Sequence, residues 1–186
     1  METTDESICH ELKELWHKLK KKPEIIVFDL DYTLWPYYVD CHVSPPIRKN
    51  KNNIITDTQN FEVRGFDHVP KILKTLREHC LGPNQHLAIA SKSTTPELAR
   101  QSLDLLDWSK YFSSFQIYPK SKDNHMKQIQ QELNFDRFEN VLFFDDEHNN
   151  IVTTSRMGVK AILVEPSKGV DLHTIKQGLE HFNSKH

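Results

Sequence analysis

The chain has 186 residues, with 24 Lys+Arg against 26 Asp+Glu and a formal net charge of −2. That length suits one domain of ordinary size, with a core large enough to fold without disulfides. A hydrophobic fraction of 37% argues against disorder, and a pI near 6.6 argues against a general nucleic-acid binder.

The N-terminal segment, METTDESICHELKELWHKLKKK, is acidic and then basic, with no apolar stretch of the signal-peptide kind. Thr4 or Asp5 starts a helix there that runs through Leu19, making residues 1–22 a helical extension. The first apolar run, Ile25 to Phe28, reads as a strand. From Pro36 to Phe66 no helical period appears; short alternating pieces at 54–56 and 61–63 predict a β-hairpin flap over 36–66, too short for a domain of its own. Asp67 then caps a helix carrying Val69, Ile72, Leu73 and Leu76, with Gly82 beyond its end. Leu87 to Ala90 is a second strand. Thr94 or Thr95 caps the next helix, with Pro96 and Glu97 in its first turn and Leu98, Leu103, Leu105 and Leu106 on its apolar face. A weaker strand lies over 115–118, and Met126, Ile129 and Leu133 mark a third helix. Val141 to Phe144 is a strand, followed by a short helix over 147–157 that Gly158 stops. Ala161 to Val164 is the last strand, and Asp171 caps a final helix with Leu172, Ile175, Leu179 and Phe182 on one face.

Continuous apolar runs suit strands covered on both faces, and their alternation with helices predicts an α/β fold: a doubly wound parallel sheet with right-handed crossovers, in a single domain over 1–186. No run approaches the roughly 20 apolar residues of a membrane span. The three cysteines, Cys9, Cys41 and Cys80, lack metal-type spacing and point to a reducing, cytoplasmic setting. Five glycines leave no room for a Gly-rich nucleotide loop.

The chemistry concentrates where strands end. Asp29-Leu30-Asp31-Tyr32-Thr33 directly follows the first apolar run, and Asp145-Asp146 directly follows Val141 to Phe144. Open α/β sheets bind ligands at the carboxyl ends of their strands. Gathering carboxylates there is unfavourable without a cation, and Mg²⁺ is a hard ion that takes oxygen ligands. Asp-x-Asp-x-Thr alone arises by chance in roughly a few per cent of such chains, and either acid could simply cap a helix. Two acidic clusters at two strand ends make coincidence a poor account. Ser91-Lys92 follows the second strand, and Lys120 and Lys122 both follow the weak one; a hydroxyl and cations at strand ends are what a phosphate oxyanion needs. Lys120 and Lys122 compete for that role on composition alone. His148 beside the acidic pair reads as a surface residue, and Cys41-His42 lacks the Cys-x5-Arg pattern of thiol phosphatases, since Arg48 falls one place late. Trp35, Tyr37 and Tyr38 either line the pocket mouth or pack under the flap.

In this order, Asp29/Asp31/Thr33, Ser91, Lys122 and Asp145/Asp146 resemble the motif set of the haloacid dehalogenase (HAD) superfamily of phosphohydrolases, over Glu24 to Val164. Asp at position 31 is the choice of its phosphatases and phosphomutases; the transport ATPases have Thr there and the dehalogenases lack the second acid. Phe28 to Pro36, Ala90-Ser91, Tyr118-Pro119-x-Ser121-Lys122 and Phe143 to Glu147 with Asn150-Ile151 look more closely like the eukaryotic magnesium-dependent phosphatase family. That resemblance implies a Rossmann-like core, a small β insertion after the first motif and no large cap domain. It implies a magnesium-dependent phosphomonoesterase in which Asp29 is the nucleophile, forming an aspartyl-phosphate, and Asp31 the general acid and base. Leu30, Ser91, Lys92 and Lys122 would face the phosphate. Mg²⁺ would be held by Asp29, the Asp31 backbone carbonyl and Asp145, with Thr33 and Asp146 one layer behind. The family often has Arg where this chain has Lys92, and lysine lacks arginine's bidentate fork. The implied partner is a phosphorylated substrate, with phosphotyrosine proteins ahead of small esters such as sugar or fructosamine phosphates; nucleic acid and membrane are not expected, and the chain is expected to be a monomer. A phosphate-binding module that has lost catalysis is the competing class, disfavoured because every acid of the pattern is present.

Overall fold

A computed structural model describes residues 4–184. Residues 1–3 of the expected N-terminal extension lie outside that range. The apolar runs form β1 (Ile25–Phe28), β4 (His86–Ser91), β5 (Ser114–Ile117), β6 (Val141–Asp145) and β7 (Lys160–Leu163), an all-parallel sheet in the order β5-β4-β1-β6-β7. Helices α1 (Thr4–Lys18), α3 (Val69–Thr75), α4 (Pro96–Leu105), α5 (Lys122–Leu133), α6 (His148–Ser155) and α7 (Leu172–Asn183) cover it. No large cap domain is present among the described residues.

The period of two along the strands sorts the core into two layers. Ile26, Phe28, Leu87, Ile89, Leu142 and Phe144 pack with α1, α3, α4 and α7. Ile25, Val27, Ala88, Ala90, Val141 and Phe143 pack with Met126 and Ile129 of α5. The N-terminal helix docks on this core through Ile8, Leu12 and Trp16, all buried, each worth about 1.5–3 kcal/mol of apolar transfer. Asp171 caps α7, its carboxylate accepting from the Thr174 amide at 2.7 Å. Gly158 adopts φ +101° after α6, a conformation that a side chain would strain.

Other local expectations need correction. Asp67 does not cap α3; His68 occupies that position without a side-chain bond, and Asp67 instead lies 3.8 Å from Arg64. The helix does not run smoothly to Gly82, because Leu76–Cys80 continues as a wider π turn. Thr95 takes the cap position of α4, yet its own side chain makes no capping bond; the Ser93 hydroxyl accepts from the Thr95 amide at 3.2 Å. The insertion does contain a hairpin, but its paired strands are β2 (Arg48–Lys49) and β3 (Ile55–Thr56), with 61–63 adding only a bridge from Glu62 to Thr56. It also holds one helical turn, α2 (Val39–His42), in a stretch where the sequence shows no helical period. The Asp57 carboxylate ties the insertion together, accepting from the amides of Ser44, Gln59 and Phe61 at 2.7, 2.8 and 2.8 Å.

Candidate active site

The same period of two that builds the core aims the acids. Asp29 continues the Ile25, Val27 face and Asp145 the Val141, Phe143 face, so both side chains leave the sheet toward α5. There the first residue of α5, Lys122, is 1% exposed, and its Nζ lies 2.5 Å from Asp29 Oδ1 and 3.1 Å from Asp145 Oδ2. The ammonium also donates to the Ala90 carbonyl at the end of β4. Lys122, and not the exposed Lys120, is therefore the cation at the strand ends.

The chain turns sharply after Asp29. The Leu30 carbonyl accepts from the amides of Thr33, Leu34 and Trp35 at 3.1, 2.8 and 3.3 Å, and Tyr32 takes φ 53° to close the turn. The turn takes Asp31 out of the line of the strand, and both acids line one crevice. Asp31 is turned toward the flap: its Oδ1 accepts from the Trp35 indole N–H at 2.6 Å and from the Val39 amide at 3.2 Å. Thr33 is fully buried behind it, its carbonyl accepting from the Val170 amide at 2.9 Å and its hydroxyl without a partner among the described residues.

Asp29, Asp145 and Asp146 each offer an oxygen, and these oxygens lie within 4.8 Å of one another. Asp146, expected one layer behind the metal, thus has an oxygen within the acidic cluster itself, while the Asp31 side chain is engaged elsewhere. Burial raises Asp29 well above the usual carboxylate range; Lys122 opposes the rise and Asp145 adds to it. Burial, and then the Asp145 charge, lifts Asp146 to about 6. Burial opposes the Lys122 ammonium, but the Asp29 and Asp145 charges outweigh it and hold its proton. One lysine does not neutralise three crowded carboxylates. An all-oxygen set with surplus negative charge fits a hard dication such as Mg²⁺, which would restore the ionised forms. Burial also raises Asp31 to about 6, against the pull of the Trp35 and Val39 hydrogen bonds; a carboxylic acid near 6 can both give and take a proton close to neutrality.

The crevice encloses about 170 Å³ and is lined by Asp29, Asp31, Ser91, Lys122 and Asn150 on its floor side, with the flap and the loop after β4 forming the rim. Ser91 is buried, its hydroxyl accepting from the Ser93 amide at 3.3 Å. Lys92 stands at the rim, 3.4 Å from Glu147. Asp40 of the flap accepts from the Thr94 hydroxyl at 2.9 Å, so the insertion is latched to the β4 loop beside the crevice. Tyr38 also reaches the rim, edge-on to Tyr32, whereas Trp35 and Tyr37 stack beneath the flap at 5.7 Å. His148 is exposed, and the Asp40 carboxylate beside the exposed Cys41 raises its thiol, which disfavours a thiolate nucleophile.

Two residues that the resemblance includes have roles that the sequence does not state. Asn150 is buried, and its side-chain amide donates to both Asp145 oxygens at 3.0 Å and to Glu147 at 3.0 Å, fixing the Asp145 carboxylate. Besides the resemblance, the signal for it is its place early in a helix that starts after the acidic pair. Trp35 belongs to the Phe28 to Pro36 motif of that resemblance, but nothing local marks its indole as the donor to Asp31.

Comparison with known proteins agrees with this geometry. A family model described as Acid Phosphatase matches residues 21–185. Human magnesium-dependent phosphatase 1 is 42% identical over 164 residues, covering 88% of this chain and 89% of that protein. A HAD-like hydrolase superfamily protein of Schizosaccharomyces pombe is 34% identical over 148 residues, covering 74% of this chain and 83% of its own length. Among solved structures, a HAD-superfamily hydrolase from Ehrlichia chaffeensis superposes with a TM-score of 0.60 at 16% identity, over 87% of this chain and 98% of that one. A phosphatase domain from Bacteroides fragilis, solved with Mg, gives 0.56 at 17% identity, over 88% of this chain and 41% of that one. The two structures speak for the fold, and the family model and sequence relatives speak for descent: the chain belongs to the magnesium-dependent phosphatase family of the HAD superfamily.

Proposed function

We propose that this phosphatase hydrolyses phosphate monoesters through an aspartyl-phosphate on Asp29, and that phosphotyrosine side chains of proteins are its substrates. The observation that carries the reading is the buried Lys122 ammonium, shared between Asp29 and Asp145 at the ends of two adjacent strands with Asp31 beside them. In the first step an Asp29 oxygen attacks phosphorus, the ester P–O bond breaks, and Asp31 gives its proton to the departing oxygen. In the second, Asp31 takes a proton from the water that attacks phosphorus, and inorganic phosphate leaves with Asp29 restored. Ser91 and Lys122 hold the phosphoryl oxygens, with the Leu30 amide and Lys92 assisting. Asp29 and Asp145, with the Asp31 carbonyl and with Asp146 in reach, would hold Mg²⁺, which would supply charge that offsets the crowded anions.

The rim of the crevice supports the substrate class. The crevice of about 170 Å³ has room for a phosphoryl group at its acidic floor, with the rest of the substrate reaching toward the rim. Tyr38, 44% exposed, offers an aromatic edge there, suited to a phosphorylated ring displayed on a protein. A second reading has one observation in its favour. Asp40, Asp146 and Glu147 make the rim acidic, which suits the amine of a fructosamine phosphate.

Replacing Asp29→Asn preserves shape and removes the nucleophile. Magnesium-dependent release of phosphate from nitrophenyl phosphate is expected to fall at least about 10⁴-fold with an unchanged circular dichroism spectrum. Retained turnover ends the Asp29 assignment. Ratios of kcat/KM for phosphotyrosine peptides against fructosamine phosphates choose between the two substrate readings.

A further inference from the structure

The two oxygens of Asp31 are in unlike surroundings. Oδ1 accepts two N–H donors, from the Trp35 indole at 2.6 Å and the Val39 amide at 3.2 Å, while Oδ2 accepts none among the described residues. A proton on Oδ1 would face both donors, so that oxygen is held as an acceptor and the acid's proton belongs on Oδ2. Trp35 is wholly buried, and its indole is stacked on Tyr37 at 5.7 Å and 5°; Tyr37 in turn meets Phe61 of the flap edge-on at 5.2 Å. The donor therefore has little freedom, and a buried indole N–H without its acceptor would be costly. Here the acceptor is a carboxylate that lines the crevice.

We propose that Trp35 is a positioning residue for proton transfer: with the Val39 amide it pins Asp31 Oδ1, so that Oδ2 alone faces the ester oxygen and the attacking water. This rests on Asp31 acting as the general acid and base, and the test separates the two ideas. Leaving-group protonation matters for a poor leaving group and hardly at all for a good one, and kcat/KM reports the step in which the ester bond breaks.

The experiment measures kcat/KM for phenyl phosphate and for dinitrophenyl phosphate in the magnesium-loaded enzyme, in Trp35→Phe and in Asp31→Asn. Trp35→Phe is expected to lose roughly tenfold on phenyl phosphate and less than about twofold on dinitrophenyl phosphate, with Asp31→Asn showing the same pattern more strongly. An equal loss on both esters, or none, in Trp35→Phe overturns the positioning role. If Asp31→Asn itself lacks the leaving-group dependence, the acid–base reading fails and takes the proposal with it. Should Trp35→Phe not fold, site-specific replacement of Trp35 by benzothienylalanine keeps the ring shape and removes only the N–H, and the same ratio decides. Independently of activity, the Trp35 indole proton resonance is expected to move upfield in Asp31→Ala; an unmoved resonance overturns the contact.

Discussion

His125 lies on α5 three residues after Lys122 and is fully buried. Its Nε2 meets the Tyr118 carbonyl at 3.0 Å, and its Nδ1 has no partner among the described residues. Burial, reinforced by the Lys122 charge, lowers the imidazole from 6.5 to about 4. The fold therefore prefers the neutral ring, and the unfolded chain binds the extra proton. Above pH 6.5 the group adds no pH dependence; as pH falls from 6.5 toward 4, stability drops, by something on the order of 2 kcal/mol. Replacing His125→Phe is expected to flatten that part of the profile relative to wild type, whatever it does to absolute stability. Urea unfolding at a series of pH values between 7 and 4 measures it, and parallel profiles would show that His125 is not the titrating group.

α7 crosses β6 closely at Gly178. A Cβ on Gly178 would stand 2.5 Å from the Phe144 ring, and Phe144 is itself stacked on Phe28 at 5.3 Å, so it has nowhere to retreat. Alanine gains about 1 kcal/mol of helix propensity over glycine, against roughly 1–3 kcal/mol for overpacking a full core. Gly178→Ala is expected to lower stability by up to about 2 kcal/mol, read as a lower Tm; a raised Tm would mean that the Phe28–Phe144 stack can yield. Long elements such as α5 and α7 are legible in the sequence because their apolar faces repeat over three turns. The insertion is legible only in kind. A four-residue helix carries no period, and the true hairpin partners, Arg48–Lys49 and Ile55–Thr56, are chosen by nonlocal ties such as Asp57 to Ser44, which leave no local pattern.

At the scale of the whole molecule, the sheet makes the acids legible: Asp29 and Asp145 follow apolar runs, and strand parity sends both toward α5. The roles of Asn150 and Trp35 depend on closeness in space; the sequence marks both residues only as part of a family resemblance, with no role attached. Among the described residues no helix is long and apolar enough to cross a membrane. The buried lysine also bears on how the molecule responds to its surroundings. Because Lys122 already stands between Asp29 and Asp145, the chain carries a counterion of its own, and folding is expected without the metal. In EDTA a single cooperative thermal transition is expected, with Mg²⁺ raising Tm by a few degrees as its concentration rises. Lys122→Met should lose about 3–5 kcal/mol in EDTA and show a larger rise with Mg²⁺ than wild type. Unfolding of the wild-type chain by EDTA would contradict this account. Magnesium occupancy would then be an equilibrium of its own, set by mass action apart from folding, and the enzyme would gain or lose the ion without losing its shape.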